Sequence, residues 1–226
     1  MLIVEFNGKA GCGKTTLTRQ VAQQLKEKQI SAGTRYEAFP QLKRSKSLVR
    51  CLKFFPAFFN PKNFRLNILV LSFTLDYGID IYRLYKAISF IELNYLLDKI
   101  RVEKPFEVLL LDEGILQYLH YLPNDKEIKR NNNTEKLAQA IELKYMENII
   151  INCSLDWGKN ASRLAKRGPG HKRYAGLSDS VHRKRLETRE GNLKILRQFM
   201  HHNPSIAIDM GEPVEQNADK ITEAIK

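Results

Sequence analysis

The stretch Leu2–Leu17, LIVEFNGKAGCGKTTL, decides the fold. Its first residues are mostly apolar, which is typical of a short buried strand. The pattern G-x-x-x-x-G-K-T follows at Gly8–Thr15, and Thr16–Lys28 is compatible with a helix. Strand, glycine loop and helix in this order form the context in which a phosphate-binding loop occurs. A glycine-rich turn with an accidental lysine is the alternative, and the flanking strand and helix disfavour it.

The residue types of this loop suit contact with phosphate. Its glycines let the backbone turn tightly and bring N–H groups against phosphate oxygens, and the helix start adds unpaired N–H groups. We expect Lys14 to reach the β- and γ-phosphates of ATP and Thr15 to place its hydroxyl on Mg²⁺. The residues predicted to bind the nucleotide here are Gly8, Lys9, Ala10, Gly11, Cys12, Gly13, Lys14, Thr15 and Thr16.

Composition limits the class of protein. The 226 residues are 43% hydrophobic and carry a formal charge of +12, which predicts one domain, with or without an inserted subdomain, and anionic partners. Nucleotides, nucleic acid and an acidic membrane surface all meet that description. The three scattered cysteines, one of them inside the loop, favour a reducing cytoplasm over a zinc site. No signal peptide is evident, and no apolar stretch reaches the roughly 20 residues that span a bilayer.

A second apolar run ends in acidic residues. The stretch 106–111, FEVLLL, is apolar on both faces, as in a central parallel strand, and it continues into Asp112 and Glu113. We expect Asp112 to hold the hydration shell of Mg²⁺ opposite Thr15. Glu113 is one candidate to orient or deprotonate an acceptor hydroxyl. Glu37, at the carboxyl end of a second strand predicted over 34–39, is the other, and a solvated strand-end carboxylate is its equal alternative.

The segment 41–65 combines basic residues with four phenylalanines at 54–59. It suits an acceptor-binding lid, a membrane-surface patch or a nucleic-acid face, and equally a basic helix whose phenylalanines enter the core. From residue 64 to 100, apolar residues recur at helical spacing and predict two long helices broken near 76–78. We therefore expect a helical acceptor-binding insertion at about 41–100.

A basic cluster at about 158–175 follows the predicted fourth strand. Arg163 and Arg167 lie four residues apart, on one face of a helix, ahead of the breaker Gly168-Pro169-Gly170. A glycine-hinged segment rich in arginine is what a lid closing over phosphates needs. The alternative is a solvated basic loop.

Together these features resemble the small P-loop kinases of the thymidylate kinase and deoxynucleoside kinase group. The resemblance rests on GKAGCGKTT, LLLLDEG, RLAKRG after the fourth strand and IDMGEPVEQNADKI near the end. It implies one kinase-like domain over 1–226 with the three-layer α/β P-loop NTPase fold, a five-stranded parallel sheet of order 2-3-1-4-5 with helices on both faces. It also implies that Gly211, Pro213 and Val214 lie beside the adenine.

The chain departs from that group at two places. The group commonly has an Asp-Arg or Glu-Arg pair after the third strand, where this chain has Asp112-Glu113. The region 41–100 matches no nucleoside pocket.

The sequence predicts a phosphotransferase that uses ATP and Mg²⁺ on a small-molecule acceptor, a nucleoside or a nucleoside monophosphate. Lys14, Arg163 and Arg167 would neutralise charge on the transferred phosphoryl group. One alternative is an ATPase switch acting on a protein partner, since an acid after the Mg²⁺ aspartate can activate water. Another is a nucleic-acid-end kinase, which the charge favours. A homodimer is also left open.

Overall fold

A computed structural model describes residues 1–40, 55–78, 80–123, 126–165, 179–198 and 202–225. Within them, five parallel strands form one sheet of order β2-β3-β1-β4-β5, which confirms the predicted order 2-3-1-4-5. The strands are β1 (Leu2–Gly8), β2 (Ala32–Thr34), β3 (Val108–Leu111), β4 (Ile149–Ser154) and β5 (Ser205–Asp209).

Helices cover both faces of the sheet. In the described residues they are α1 (Lys14–Glu27), α2 (Arg35–Ala38), α3 (Phe64–Leu75), α4 (Ile81–Glu103), α5 (Ile115–Leu119), α6 (Asn132–Tyr145), α7 (Trp157–Ala165), α8 (Asp179–Gln198) and α9 (Val214–Ile225). None of the helices in the described ranges has the length and apolar character that crossing a membrane requires.

The strand β1 lies at the centre of the sheet and is buried on both faces. It pairs in parallel with β3 on one side and with β4 on the other, so Val4 lies beside Leu110 and Phe6 beside Ile151. Because all five strands run in the same direction, the segments that follow β1, β2, β3 and β4 meet at one edge. That edge is where the candidate site lies.

The two faces of the sheet carry separate apolar cores. Val4 and Phe6 point to the face covered by α1 and α9, where they join Leu17, Val21 and Ile221. The opposite face is covered by α3 to α6 and α8, and its core includes Ile3 and Leu109 of the sheet together with buried helical residues such as Phe73, Phe90, Leu97, Leu137 and Leu193. The alternation along β1 therefore fixes the three-layer arrangement.

The predicted second strand over 34–39 is wrong. β2 stops at Thr34, and α2 begins at Arg35 behind a capping box in which Glu37 accepts hydrogen bonds from the Thr34 N–H (2.7 Å) and hydroxyl (2.8 Å). These bonds satisfy the hydrogen-bonding groups of Thr34 at the start of the helix, and the chain turns out of the sheet there. The carboxyl end of β2 is thus followed at once by a helical turn.

The predicted break between the two long helices is confirmed, because α3 ends at Leu75 and α4 begins at Ile81. The turn is held by the segment ahead of α6: the Asp76 carboxylate accepts hydrogen bonds from the amides of Asn131 (3.1 Å) and Asn133 (3.0 Å). The Tyr77 hydroxyl accepts a further bond from the Lys129 N–H (2.6 Å). We call these contacts the Asp76 clamp.

The phenylalanines at 54–59 do not all enter the core. Phe58 is half-buried, whereas Phe55 and Phe59 keep 60% and 62% of their surface exposed. Residues 41–54, which include Phe54 and the basic stretch before it, lie outside the described residues. The alternative in which the phenylalanines of a basic helix enter the core therefore does not hold for Phe55 and Phe59.

Candidate active site

The loop between β1 and α1 has the backbone of a tight anion-binding turn. Gly13 has a φ of 109°, in the left-handed region that favours glycine, and it caps α1 without any side-chain hydrogen bond. Gly8 approaches β4 so closely that a Cβ there would lie 2.4 Å from the carbonyl oxygen of Cys153. No side chain at the cap therefore competes for the first N–H groups of α1, which leaves that helix start suited to phosphate.

Lys14 lies inside this loop and is buried. Its Nζ donates hydrogen bonds to the carbonyl oxygens of Gly8 (2.8 Å) and Lys9 (2.9 Å). Burial lowers the pKa of Lys14, but the nearby ionisable groups, Cys12 foremost, outweigh it and hold the pKa above its ordinary value. The side chain is therefore a charged ammonium held at the loop, where phosphate oxygens can replace the carbonyls as its partners.

Thr15 and Asp112, the two residues that the sequence predicts to hold Mg²⁺, are in direct contact. The Thr15 hydroxyl donates a hydrogen bond of 2.7 Å to Oδ2 of Asp112, 97 residues further along the chain. Asp112 is 4% exposed, and among the described residues its Oδ1 has no hydrogen-bond partner. A buried carboxylate oxygen with spare acceptor capacity beside a hydroxyl oxygen is a donor set that suits Mg²⁺ and its water ligands. The residues present thus fit the metal that the loop implies.

Helix α7 lies directly on the phosphate loop. Arg163 donates to the carbonyl oxygen of Cys12 (2.7 Å) and to that of Met210, after β5 (3.2 Å). Asn160 adds a bond from its amide to the carbonyl oxygen of Ala10 (3.0 Å). The structure therefore brings Arg163 to the predicted site. Arg167 lies outside the described residues, as does the greater part of the predicted lid.

The segment predicted to lie beside adenine is next to these groups. Gly211 follows β5, its N–H donates to the side chain of Asp209 (2.8 Å), and α9 begins at Val214 after Pro213. A Cβ on Gly211 would lie 3.2 Å from Nζ of Lys159, on α7. The bond from Arg163 to Met210 joins this segment to the phosphate loop. The segment that contains Gly211, Pro213 and Val214 therefore begins next to the phosphate loop, and the contact of these residues with adenine stays a prediction.

Glu113 forms an ion pair that the sequence did not predict. Its carboxylate lies 2.9 Å from the guanidinium of Arg35, which also donates a 2.6 Å bond to the hydroxyl of Tyr118. Burial raises the pKa of Glu113, but the charge and hydrogen bond of Arg35 outweigh it and hold the pKa below its ordinary value. Burial acts to lower the pKa of Arg35, yet Tyr118 and Glu113 leave it raised. Both partners therefore stay charged.

Glu37, the other candidate base, has different partners. Besides the capping box, its carboxylate accepts a 3.0 Å hydrogen bond from Lys26 on α1. These contacts hold its pKa below the ordinary value although partial burial raises it. Glu113, by contrast, directly follows Asp112 and pairs with Arg35. The structure thus gives Glu37 a helix-capping role.

Sequence reasoning also missed a buried cation beside the ion pair. Lys86 of α4 is 4% exposed, and its Nζ lies 4.6 Å from the ring centre of Tyr121, 5.4 Å from that of Tyr118 and 5.6 Å from that of Tyr82. Ammonium groups at such distances are attracted to aromatic faces. The polar residues among apolar ones in α4 are the only sequence signal of this cluster.

A cavity of about 70 Å³ lies behind the phosphate loop. The residues that line it include Gly8, Cys153, Tyr121 and Arg189. Lys9 and Glu190, also at its edge, form an ion pair of 2.8 Å. The space is enough for one or two small molecules of the size of water or a peroxide.

The fold is shared with a solved kinase, although comparison by sequence finds no relative. No protein-family model matches the chain, and a search of curated proteins finds no match. A deoxyadenosine kinase from M. mycoides with bound dATP is similar in structure, with 16% identity and a TM-score of 0.54 over 100% of this chain and 99% of that chain. The same kinase with bound dCTP gives 17% identity and a TM-score of 0.48 over 100% and 98%. At this identity, the likeness to the dATP-bound structure shows that the chain shares the fold of that structure.

Proposed function

We propose that this protein is a phosphotransferase that moves the γ-phosphate of ATP to a nucleoside or a nucleoside monophosphate. The observation that carries the proposal is the meeting of Lys14 with the Thr15–Asp112 pair at the end of β1 and β3. A glycine loop, a charged lysine and a carboxylate–hydroxyl pair are the parts that phosphoryl transfer from a nucleotide needs. The fold shared with a deoxyadenosine kinase is consistent with this chemistry.

Lys14 and Arg163 supply positive charge on the phosphates. In the transition state, charge spreads over the oxygens of the transferred group, so preorganised cations lower the barrier. Lys14 would exchange its two carbonyl partners for phosphate oxygens, and Arg163 would do the same from α7, with Arg167 as a second guanidinium. Thr15 and Asp112 would hold Mg²⁺, which when bound offsets the charge of the β- and γ-phosphates.

Glu113 orients the acceptor hydroxyl. Its pKa is below the ordinary value, so it stays ionised at neutral pH and accepts a hydrogen bond from the acceptor. Such a carboxylate is a weak base, but a loose transition state needs positioning of the nucleophile more than early removal of its proton. Arg35 fixes the carboxylate from the neighbouring strand end. If the acceptor is a nucleoside monophosphate, Arg35 and Lys86 would lie beside its phosphate.

The test is a coupled ADP-release screen with Mg²⁺ and ATP, across nucleosides, nucleoside monophosphates, sugars and RNA ends. We expect release that depends on a nucleoside or a nucleoside monophosphate. ADP release without any acceptor, raised by a protein partner, would favour the ATPase switch instead, and release only with RNA ends would favour an end kinase.

A pair of lysine variants separates the site from general effects of charge. Lys14→Ala should lower turnover at least about 100-fold, because it removes a charge that stabilises the transition state. Lys136→Ala removes an exposed lysine of α6 and should leave turnover unchanged. Near-normal turnover of a folded Lys14→Ala protein would refute the assignment.

A further inference from the structure

The fold brings two thiols together under the phosphate loop. Cys12 lies in the loop and Cys153 on β4, 141 positions later, and they are 0% and 6% exposed. Both border Gly8: a Cβ on that glycine would lie 3.3 Å from Sγ of Cys12 and 3.0 Å from Cβ of Cys153. Both side chains therefore pack against the same face of Gly8, which has no side chain of its own to separate them.

The surroundings of Cys12 favour its reactive form. Nζ of Lys14 lies 4.0 Å from Sγ of Cys12. The neighbouring thiol of Cys153 lowers the pKa of Cys12, burial opposes this, and the charge of Lys14 adds to the lowering, so that the pKa lies below its ordinary value. The pKa of Cys153 is raised by the neighbouring Cys12 and by burial. These shifts favour the thiolate form of Cys12 and the thiol form of Cys153.

A small oxidant has a place to enter. Cys153, Gly8 and Ala10 line the cavity behind the loop, and its volume of about 70 Å³ accommodates a peroxide. Sγ of Cys12 does not line this cavity but lies next to Gly8, which does. We propose that Cys12 and Cys153 form a reversible oxidation site, in which a hydroperoxide converts the two thiols to a disulfide that disables the phosphate loop. The phosphotransferase reaction uses neither thiol, so this site lies beyond the proposed activity.

The chemistry balances in two steps. The Cys12 thiolate attacks the outer oxygen of the hydroperoxide, the O–O bond breaks, and the leaving oxygen takes a proton to become an alcohol, or water if the oxidant is hydrogen peroxide. Cys12 is then a sulfenic acid. The sulfur of Cys153 gives up its proton and attacks the Cys12 sulfur, the S–O bond breaks, and water leaves. Two thiols have lost two electrons, and the hydroperoxide has gained them.

The disulfide alters the loop because it must shorten the contact between the sulfurs to about 2.05 Å. Cys12 would then be tethered to β4, and the thiolate partner of Lys14 would disappear. The carbonyl oxygen of Cys12 also anchors Arg163, so a shift at Cys12 disturbs a second cation of the site. Displacements of about 1 Å in such sites cost on the order of 100-fold in rate.

The experiment uses the full chain in a Cys51→Ser background, which leaves these two thiols alone. Hydrogen peroxide should produce a disulfide-linked pair of peptides containing Cys12 and Cys153 in a non-reducing digest, and dithiothreitol should remove it. ATP affinity, measured by calorimetry, should fall on oxidation and return on reduction. Hydrogen exchange over residues 9–16 should change in parallel.

Cys153→Ala is the matched variant. It should bind ATP like the parent protein, form no linked peptides, and lose the recovery that dithiothreitol gives, because its Cys12 oxidises without a resolving thiol. Failure of peroxide to link the two peptides, or a linked protein with undiminished ATP affinity, would overturn the inference. If the reduced protein binds no ATP, the proposed function is wrong. The oxidation site would still be tested by the linked peptides and by hydrogen exchange in the loop.

Discussion

Replacing Glu5 with glutamine should change how the stability of the protein depends on pH. Glu5 lies on the central strand β1 and is 3% exposed, and its Oε1 accepts hydrogen bonds from the N–H groups of Leu116 (2.6 Å) and Gln117 (3.4 Å). Its side chain fills the space beside Gly114, where a Cβ would lie 2.2 Å from its carboxyl carbon. Burial raises the pKa of Glu5 to about 7, although these hydrogen bonds act to lower it.

The size of the effect follows from that shift. The pKa moves from 4.5 to about 7, and each unit is worth about 1.4 kcal/mol, so the full effect is about 3 kcal/mol. Because the folded protein holds the proton more tightly, this contribution is present below pH 4.5 and is lost as pH rises through 7. Between about pH 5 and pH 8, the free energy of unfolding of the parent should fall by about 2.5 kcal/mol relative to Glu5→Gln.

Urea denaturation of both proteins at pH values from 5 to 8 measures this difference. Glutamine can still accept the two backbone hydrogen bonds but does not ionise, so the variant should lack the pH-dependent loss. Glu223→Gln, on an exposed position of α9, is the control and should follow the parent at every pH. A gap between parent and Glu5→Gln that stays constant across the range would refute the reasoning, since it would mean that Glu5 has the same pKa in the folded and unfolded chains.

Three further outcomes test the site. Asp112→Asn should raise the Mg²⁺ concentration needed for half-maximal turnover by at least about ten-fold while ATP affinity changes less, as a Mg²⁺ titration beside calorimetry will show; equal insensitivity of both would remove Asp112 from the site. Glu113→Gln should lower turnover roughly ten- to a hundred-fold at unchanged ATP affinity in steady-state ADP-release assays, and a fully active variant would assign the acceptor to other residues. Changing Arg163 and Arg167 together to lysine keeps the charge but removes the planar fork, so turnover should fall roughly ten- to a thousand-fold; undiminished turnover would mark the cluster as a solvated basic surface.

The loop Gly8–Thr15 and the contact of Thr15 with Asp112 could be predicted because their signals are local. The glycine pattern can be recognised from its spacing alone. Asp112 can be recognised because an apolar strand precedes it and because the loop supplies its expected partner. The sheet order came from the resemblance, since no periodicity in the chain says which strands are neighbours. Once β1 and β3 are adjacent, Thr15 and Asp112 meet at the shared edge without further information.

The ion pair of Arg35 and Glu113 could not be predicted because its two residues are far apart in the sequence. Arg35 and Glu113 are 78 residues apart, and they meet only because β2 and β3 are neighbours whose ends lie at one edge. Glu37 was misplaced for a different reason. The run after Gly33 has strand-forming residues, but Thr34 and Glu37 also have the spacing of a capping box, and that competing signal decides the structure.

The Asp76 clamp limits how the length of this chain can vary. The turn between α3 and α4 and the segment 129–133 are far apart in sequence, yet their bonds fix the distance between them. A residue added to or deleted from α3, or from the segment 129–133, would move the carboxylate of Asp76 away from both amides at once. We therefore expect changes in the length of the chain to be tolerated outside these two segments rather than within them.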